Sequence, residues 1–206
     1  MTLHELGIKH HTDKAVYHLF TVVYETWLGH QRYAVTDMLE LGVLDGGSIR
    51  MWQDYFVNHK WIHAADINPS IPDFGDKVMR WQVDQDDRCS LRKLPGDLDL
   101  IVDDGGHTMR QQQYSLIELF NHLKPGGTYI LEDLHTSTDR YAKTHGCTPE
   151  NNTLRLLHDL YRGTFSENNE YFITGAEFRQ LRDQIALVDI VHVKDDSVTS
   201  RIIKRA

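Results

Sequence analysis

The segment that decides how this chain folds reads DLDLIVDDGGH (97–107) and, after a stretch of helical spacing, LFNHLKPGGTYILEDLHTS (119–137). Leu98 to Val102 is a short apolar run ending in Asp103-Asp104, and Tyr129 to Leu131 is another ending in Glu132-Asp133. Between them, Gln111 to Leu123 places Leu116, Ile117, Phe120 and Leu123 at helical spacing, closed by Pro125-Gly126-Gly127. A short apolar run, an acidic turn, a helix and a second run make the repeating unit of a parallel sheet covered by helices.

The same unit recurs upstream. Val35 to Leu41 reads as a strand ending at Gly42, and Gly46-Gly47-Ser48 opens a helix to about Tyr55. Trp61 to Ala65 ends at Asp66, and Val78 to Val83 ends at Asp84. Still earlier, Thr12 or Asp13 caps a helix whose Val16, Leu19, Phe20, Val23 and Trp27 form one apolar stripe. Downstream, Asn151 to Arg162 reads as a helix with Leu154, Leu157 and Tyr161 on one face. Ile185 to Val193 and Val198 to Ile203 are joined by a short polar turn around Lys194-Asp195-Asp196, which permits only an antiparallel hairpin. The basic tail Arg201 to Arg205 reads as a solvated edge strand. The predicted fold is α/β: a doubly wound, mostly parallel seven-stranded sheet with an antiparallel C-terminal hairpin.

The 206 residues suit one domain, 1–206, with an N-terminal helical cover (1–33), a binding core (34–135), an acceptor lid (136–176) and the hairpin region (177–206). Arg140, Tyr141, His145, Arg155 and Tyr161 are the lid residues of interest. A net charge of −8 argues against a chain built to grip nucleic acid or anionic lipid, and no apolar stretch is long enough to span a bilayer. The opening MTLHELGIKHHTDK has no apolar signal centre, so a cytoplasmic protein is expected. Cys89 and Cys147 are too few for a disulfide framework.

In open parallel sheets, ligands bind beyond the carboxyl ends of the strands. Here those ends carry Asp66, Asp84, Asp103-Asp104 and Glu132-Asp133. Each acid taken alone is equally well a helix N-cap. Gathered at one edge they repel one another unless a cation or hydrogen-bond donors satisfy them. The loop LELGVLDGGS (39–48) is rich in glycine but is not GxGxxG, which disfavours a dinucleotide pyrophosphate. Asp66, 24 residues beyond Gly42, is placed to accept both hydroxyls of a ribose, in an NAD or an S-adenosylmethionine site alike. Asp104, Glu132 and Asp133 offer hard oxygen ligands suited to Mg²⁺ or a similar ion. His107, three residues past Asp104, either faces the same site or caps the next helix; His135 is a second candidate.

DDGGH followed by LKPGG and EDLHTS closely resembles the class I, metal-dependent sugar O-methyltransferases of the macrocin and mycinamicin type and the related cephalosporin hydroxylase group. TDKAVYHLFTVVYE (12–25) and VDQDD (83–87) extend the resemblance over about Thr12 to Ser137. It implies that Glu40, Gly42 and Ser48 line an S-adenosylmethionine site, that Asp66 holds the ribose, and that Asp84 and Gln85 bracket the adenine, with Asp103 also on the cofactor side. It implies Mg²⁺ on Asp104, Glu132 and Asp133, and His107 as general base. Two departures stand out: Gly106 replaces the usual serine, and the extra N-terminal domain of some members has no match in this sequence.

The expected reaction is Mg²⁺-assisted O-methylation of a hydroxyl on a glycosylated natural product or similar small diol, by a homo-oligomer. Rival readings are a metal-dependent catechol or phenol O-methyltransferase, which a flat aromatic slot would distinguish although the sequence does not place Trp52, Trp61 and Trp81, a Rossmann-like oxidoreductase, and a binding module without catalysis.

Overall fold

The computed structural model describes residues 1–194 and 196–206; Asp195, which the sequence reading puts in the polar turn, lies outside the described residues. Seven strands form one sheet: β1 (Asp37–Leu41), β2 (Trp61–Asp66), β3 (Val78–Gln82), β4 (Leu98–Asp103), β5 (Leu123–Leu131), β6 (Ile185–Lys194) and β7 (Ser197–Lys204). Their order is β3-β2-β1-β4-β5-β7-β6. The first five run parallel, and β7 is antiparallel to both β5 and β6. The helices are α1 (Leu3–Lys9), α2 (Asp13–Val16), α3 (Phe20–Leu28), α4 (Gly47–Tyr55), α5 (Arg88–Leu91), α6 (Met109–Leu119), α7 (Ala142–His145), α8 (Thr153–Arg162) and α9 (Gly175–Gln184).

Period-two alternation on the central strands builds a core on each face of the sheet. From β1, Met38 joins Phe20, Tyr24, Trp52 and Phe56 of the N-terminal helices and α4, while Leu39 and Leu41 join Leu116, Phe120, Leu157 and Phe178 on the other face. Burial on both faces is what parallel strands need, and it leaves only their ends open to ligands. The expected strand–acid junctions are all present. Helix α6 starts where Thr108 Oγ1 accepts from the Gln111 amide and the Gln111 side chain returns to the Thr108 amide, a capping box.

Several elements differ from the sequence reading. The N-terminal stripe is not one helix: the chain breaks at Leu19, whose φ is 58°, so Val16 is exposed while Phe20, Tyr24, Trp27 and Leu28 are buried. Pro125-Gly126-Gly127 does not close α6; it lies inside β5, within the register shift where Leu98 pairs with Leu123 and Leu100 with Thr128. On α8 the buried face is Leu156, Leu157 and Leu160, and Tyr161 points to solvent. Helix α9, unread in the sequence, buries Phe178 and Leu181. The basic tail is no edge strand: β7 is flanked by β5 and β6, and Arg201 pairs with Asp189.

Candidate active site

The loop from Gly42 to Gly47 turns the chain from β1 into α4. Gly42 has φ +84°, and a Cβ there would lie 1.9 Å from the Asp104 carbonyl oxygen, so β1 and β4 touch at their ends only because the residue is glycine. Beyond these ends opens a cavity of about 530 Å³, a volume suited to a small-molecule cofactor. Gly42, Ser48, Asp66, Asp84 and Gln85 line one part of it; Asp104, His107 and Asp133 line another. The wall above is His11, Thr12 and Asp13.

Asp66 is oriented by two backbone amides. Val43 N donates to Oδ2 and Asn68 N donates to Oδ1, both at 2.8 Å. Gln85 is fixed from below: its Nε2 donates to Asp103 Oδ1 at 2.9 Å and to Ser115 Oγ at 2.7 Å, and its Oε1 accepts from Gly106 N. Asp103 is buried and does not line the cavity; it holds Gln85 and accepts from Tyr129 Oη at 2.8 Å. Burial pushes its carboxyl up to about 7 against the pull of those two donors. Glu40 is also beneath the cavity wall rather than in it. It is fully buried, accepts from Ser48 Oγ at 2.9 Å, and is raised by burial to about 7 although the Lys14 ammonium pulls it down.

Asp104, His107 and Asp133 offer ligand atoms that all lie within 4.8 Å of one another. His107 Nε2 is 3.4 Å from Asp133 Oδ2. Asp133 has φ 54°, a left-handed backbone rare for a side chain other than asparagine or aspartate, and it sits among three imidazoles. Besides His107, these are His135 (Nδ1 3.7 Å from Oδ1) and His18 (Nε2 4.0 Å from Oδ1). Glu132 is buried, and its carboxylate meets Lys14 Nζ at 3.1 Å. Lys14 also contacts Asp104 Oδ2 and lies 3.4 Å from Glu40 Oε1. Burial alone would lower the Lys14 ammonium, but Asp104, Glu132 and Glu40 together hold it well above the usual lysine range. Glu132 is driven well above the carboxylate range by burial and then by the Asp104 charge, and Asp104 is raised by burial against the pull of Lys14.

The charge balance fits a cation. Glu40, Asp104 and Glu132 share the Lys14 ammonium, and Asp133 adds a fourth carboxylate whose buried Oδ1 has no hydrogen-bond partner. Buried, unpartnered carboxylate oxygens are costly unless a cation meets them. Gly106 has its own local reason: a Cβ there would be 2.2 Å from Gln111 Oε1, the atom that completes the α6 capping box.

Sequence reasoning missed Lys14, the wall His11–Asp13 and His18, whereas its second histidine candidate, His135, does stand beside Asp133. The TDK motif was the one available signal. Trp52, stacked on Phe56, lies in the core; Trp61 begins β2 at the opposite end from the site; and Trp81 donates to His63. Among the described residues no tryptophan lines the cavity, so the flat slot of the phenol reading is not built from them.

No family model matches the chain. It is 34% identical over 142 residues to the 8-demethyl-8-α-L-rhamnosyl tetracenomycin-C 2′-O-methyltransferase of Streptomyces olivaceus, covering 64% of this chain and 37% of that protein. It is 32% identical over 146 residues to the mycinamicin VI 2″-O-methyltransferase of Micromonospora griseorubida, covering 66% of this chain and 36% of that one. The chain thus spans a little over a third of the length of the curated relatives it matches. Among solved structures, the MycE methyltransferase of the mycinamycin pathway, in complex with Mg and SAH, superposes with a TM-score of 0.79 at 25% identity over all of this chain and 55% of that one. The fold is that of the class I methyltransferases. The SAH-bound Podospora anserina methyltransferase PaMTH1 shares it more distantly, with a TM-score of 0.57 at 17% identity over all of this chain and 88% of that one. The predicted seven-stranded, mostly parallel sheet with an antiparallel C-terminal hairpin is borne out, as is the resemblance to sugar O-methyltransferases read from DDGGH and EDLHTS; the placing of β7 between β5 and β6 was not predicted. Among the described residues no helix is long and apolar enough to cross a membrane.

Proposed function

We propose that this chain carries the catalytic unit of an S-adenosylmethionine-dependent, divalent-cation-assisted O-methyltransferase whose acceptor is a sugar hydroxyl of a glycosylated small molecule. The observation that carries the reading is that one cavity is walled by Asp66, Asp84 and Gln85 and also by Asp104, His107 and Asp133. A cofactor cradle and a cation-binding group opening on the same space suit transfer between two bound substrates. The names of the sugar O-methyltransferases it matches support the acceptor class.

Asp66 accepts the ribose hydroxyls, the Gly42 turn lets the cofactor approach backbone, and Asp84 and Gln85 meet the adenine. Glu40 acts through Ser48, and Asp103 through Gln85, rather than by contact. Asp104 and Asp133, with Glu132 behind them, hold Mg²⁺ or a similar ion. When bound, the ion supplies Lewis acidity, which makes an alcohol easier to deprotonate. His107 Nε2 takes the acceptor proton, and Asp133 beside it steadies the imidazolium that forms; such a base contributes about 10²–10⁴-fold. The remaining work is alignment of the acceptor oxygen about 3–3.5 Å from the methyl carbon. A homo-oligomer completes the proposal.

Calorimetric titration with S-adenosylhomocysteine, with NAD as control, tests the cofactor. Micromolar binding of the first alone is expected, and binding of NAD alone refutes the assignment. Methyl transfer to a panel of deoxysugar glycosides and catechols, with Mg²⁺ or with chelator, tests the rest. Turnover on glycosides that stops with chelator is expected; equal turnover in chelator removes the cation's role, and turnover on catechols alone moves the acceptor to phenols.

A further inference from the structure

The feature of the site that the proposed reaction leaves unexplained is a lysine. Lys14 is 1% exposed, and a lysine is seldom buried so fully unless paired. Its ammonium faces three carboxylates from three different strand ends: Glu40 at 3.4 Å, Glu132 at 3.1 Å, and Asp104 in direct contact. Asp104 therefore belongs to two arrangements at once. It is a partner of Lys14 and, with Asp133, one of the proposed ligands of the divalent ion.

We propose that Lys14 is a built-in counter-cation that competes with the divalent ion for Asp104 and Glu132, and so sets how tightly that ion is held. The inference rests on the cation-assisted reading above. An ammonium in contact with a ligand oxygen repels a second cation on the same carboxylate, and burial strengthens that repulsion because little water screens it. With no ion bound, the same ammonium keeps three buried carboxylates from being left bare, which would be strongly destabilising. Occupation by the ion leaves Glu40 as the partner Lys14 does not have to share. Lys14 also follows directly on His11, Thr12 and Asp13, which wall the cofactor cavity. Its ion pairs thereby pin that wall to the strand ends, and Lys14 is a positioning residue for both halves of the site.

The test is Mn²⁺ binding to the full chain without cofactor, read from the loss of the free-ion electron paramagnetic resonance signal. Lys14→Met, similar in length and uncharged, is expected to bind Mn²⁺ at least about tenfold more tightly than the unsubstituted protein. Its Tm without metal should fall, and its rise on adding Mn²⁺ should exceed that of the parent. A lysine with a purely structural role would leave Mn²⁺ affinity unchanged or weaken it, so equal or weaker binding overturns the inference. If Lys14→Met does not fold, Lys14→Met combined with Glu40→Gln removes one buried charge of each sign. That pair is compared with Glu40→Gln alone, and the same tightening is expected. Binding by the parent without tightening in the variants sinks the role of Lys14 only. No Mn²⁺ binding by any of these proteins at millimolar concentration overturns the cation reading and this inference with it.

Discussion

Replacing Gly42 by alanine tests whether the contact between the ends of β1 and β4 holds the site together. At φ +84° an alanine pays about 1–2 kcal/mol for a left-handed backbone. Its Cβ would stand 1.9 Å from the Asp104 carbonyl oxygen and 2.9 Å from Gly105 Cα, and both are backbone atoms that no rotamer can move away. Ordinary van der Waals contact begins near 3.4 Å, so the two strand ends must part by more than an ångström. Parting them strains the bond from Asp104 N to Leu41 O, now 2.9 Å, and losing it costs about 1 kcal/mol more. The total is about 2–3 kcal/mol, equivalent to a Tm lower by about 4–12 °C in a chain of this size. Gly126→Ala is the control, because Gly126 has φ +77° with nothing within 4 Å of a built Cβ. It should lose only the backbone part. Thermal and urea unfolding of both variants, with S-adenosylhomocysteine titration of each, gives the comparison. Equal losses in the two, or cofactor affinity within twofold of the parent in Gly42→Ala, would falsify the argument.

Three further outcomes follow from the geometry. Asp66→Ala should weaken S-adenosylhomocysteine by more than about tenfold in calorimetry, since a charge-assisted hydrogen bond contributes about 1.5–3 kcal/mol; a Kd within threefold of the parent would remove Asp66 from the cofactor site. Asp133→Asn keeps a residue that tolerates the left-handed backbone while removing the charge, so Mn²⁺ binding should disappear with cofactor affinity little changed, and retained Mn²⁺ binding would count against Asp133 as a ligand. At the far end of the sheet, burial would raise the Asp99 carboxyl, but Lys124 Nζ at 2.7 Å and the Thr36 and Asp37 amides outweigh it and hold it below the usual carboxylate range. A carboxylate depressed in the folded state stabilises above its unfolded pKa, and that contribution is lost as pH falls through its folded value. Asp99→Asn should therefore lower Tm at pH 7 and flatten the fall of Tm below about pH 4; parallel Tm curves for parent and variant would contradict this.

The acids at the strand ends were legible because each signal is local: an apolar run, an acid, then a helical period, all within a dozen or so residues. That pattern alone determined the sheet, its helical cover, the terminal hairpin and the edge on which Asp66, Asp84, Asp104 and Asp133 gather. Local reading failed where burial depends on partners far away in the chain. The stripe from Val16 to Trp27 has helical spacing, yet the chain breaks at Leu19 so that Lys14 can turn inward while Phe20 and Tyr24 still pack. Nothing in the spacing of TDK says that its lysine is buried, because its partners lie 90 residues away at Asp104 and 118 residues away at Glu132. Tertiary structure likewise decided which acids face the cavity and which lie beneath it. Glu40 and Asp103 end up under the wall, holding Ser48 and Gln85, because the pleat turns their side chains into the sheet's two faces. Asp133 has His135 two residues on, but it acquires His18 and His107 from segments that only the folded sheet brings together. Sequence sets where the strands end; the packed structure sets what charge each end can carry, since that depends on desolvation and on neighbours brought from the rest of the chain.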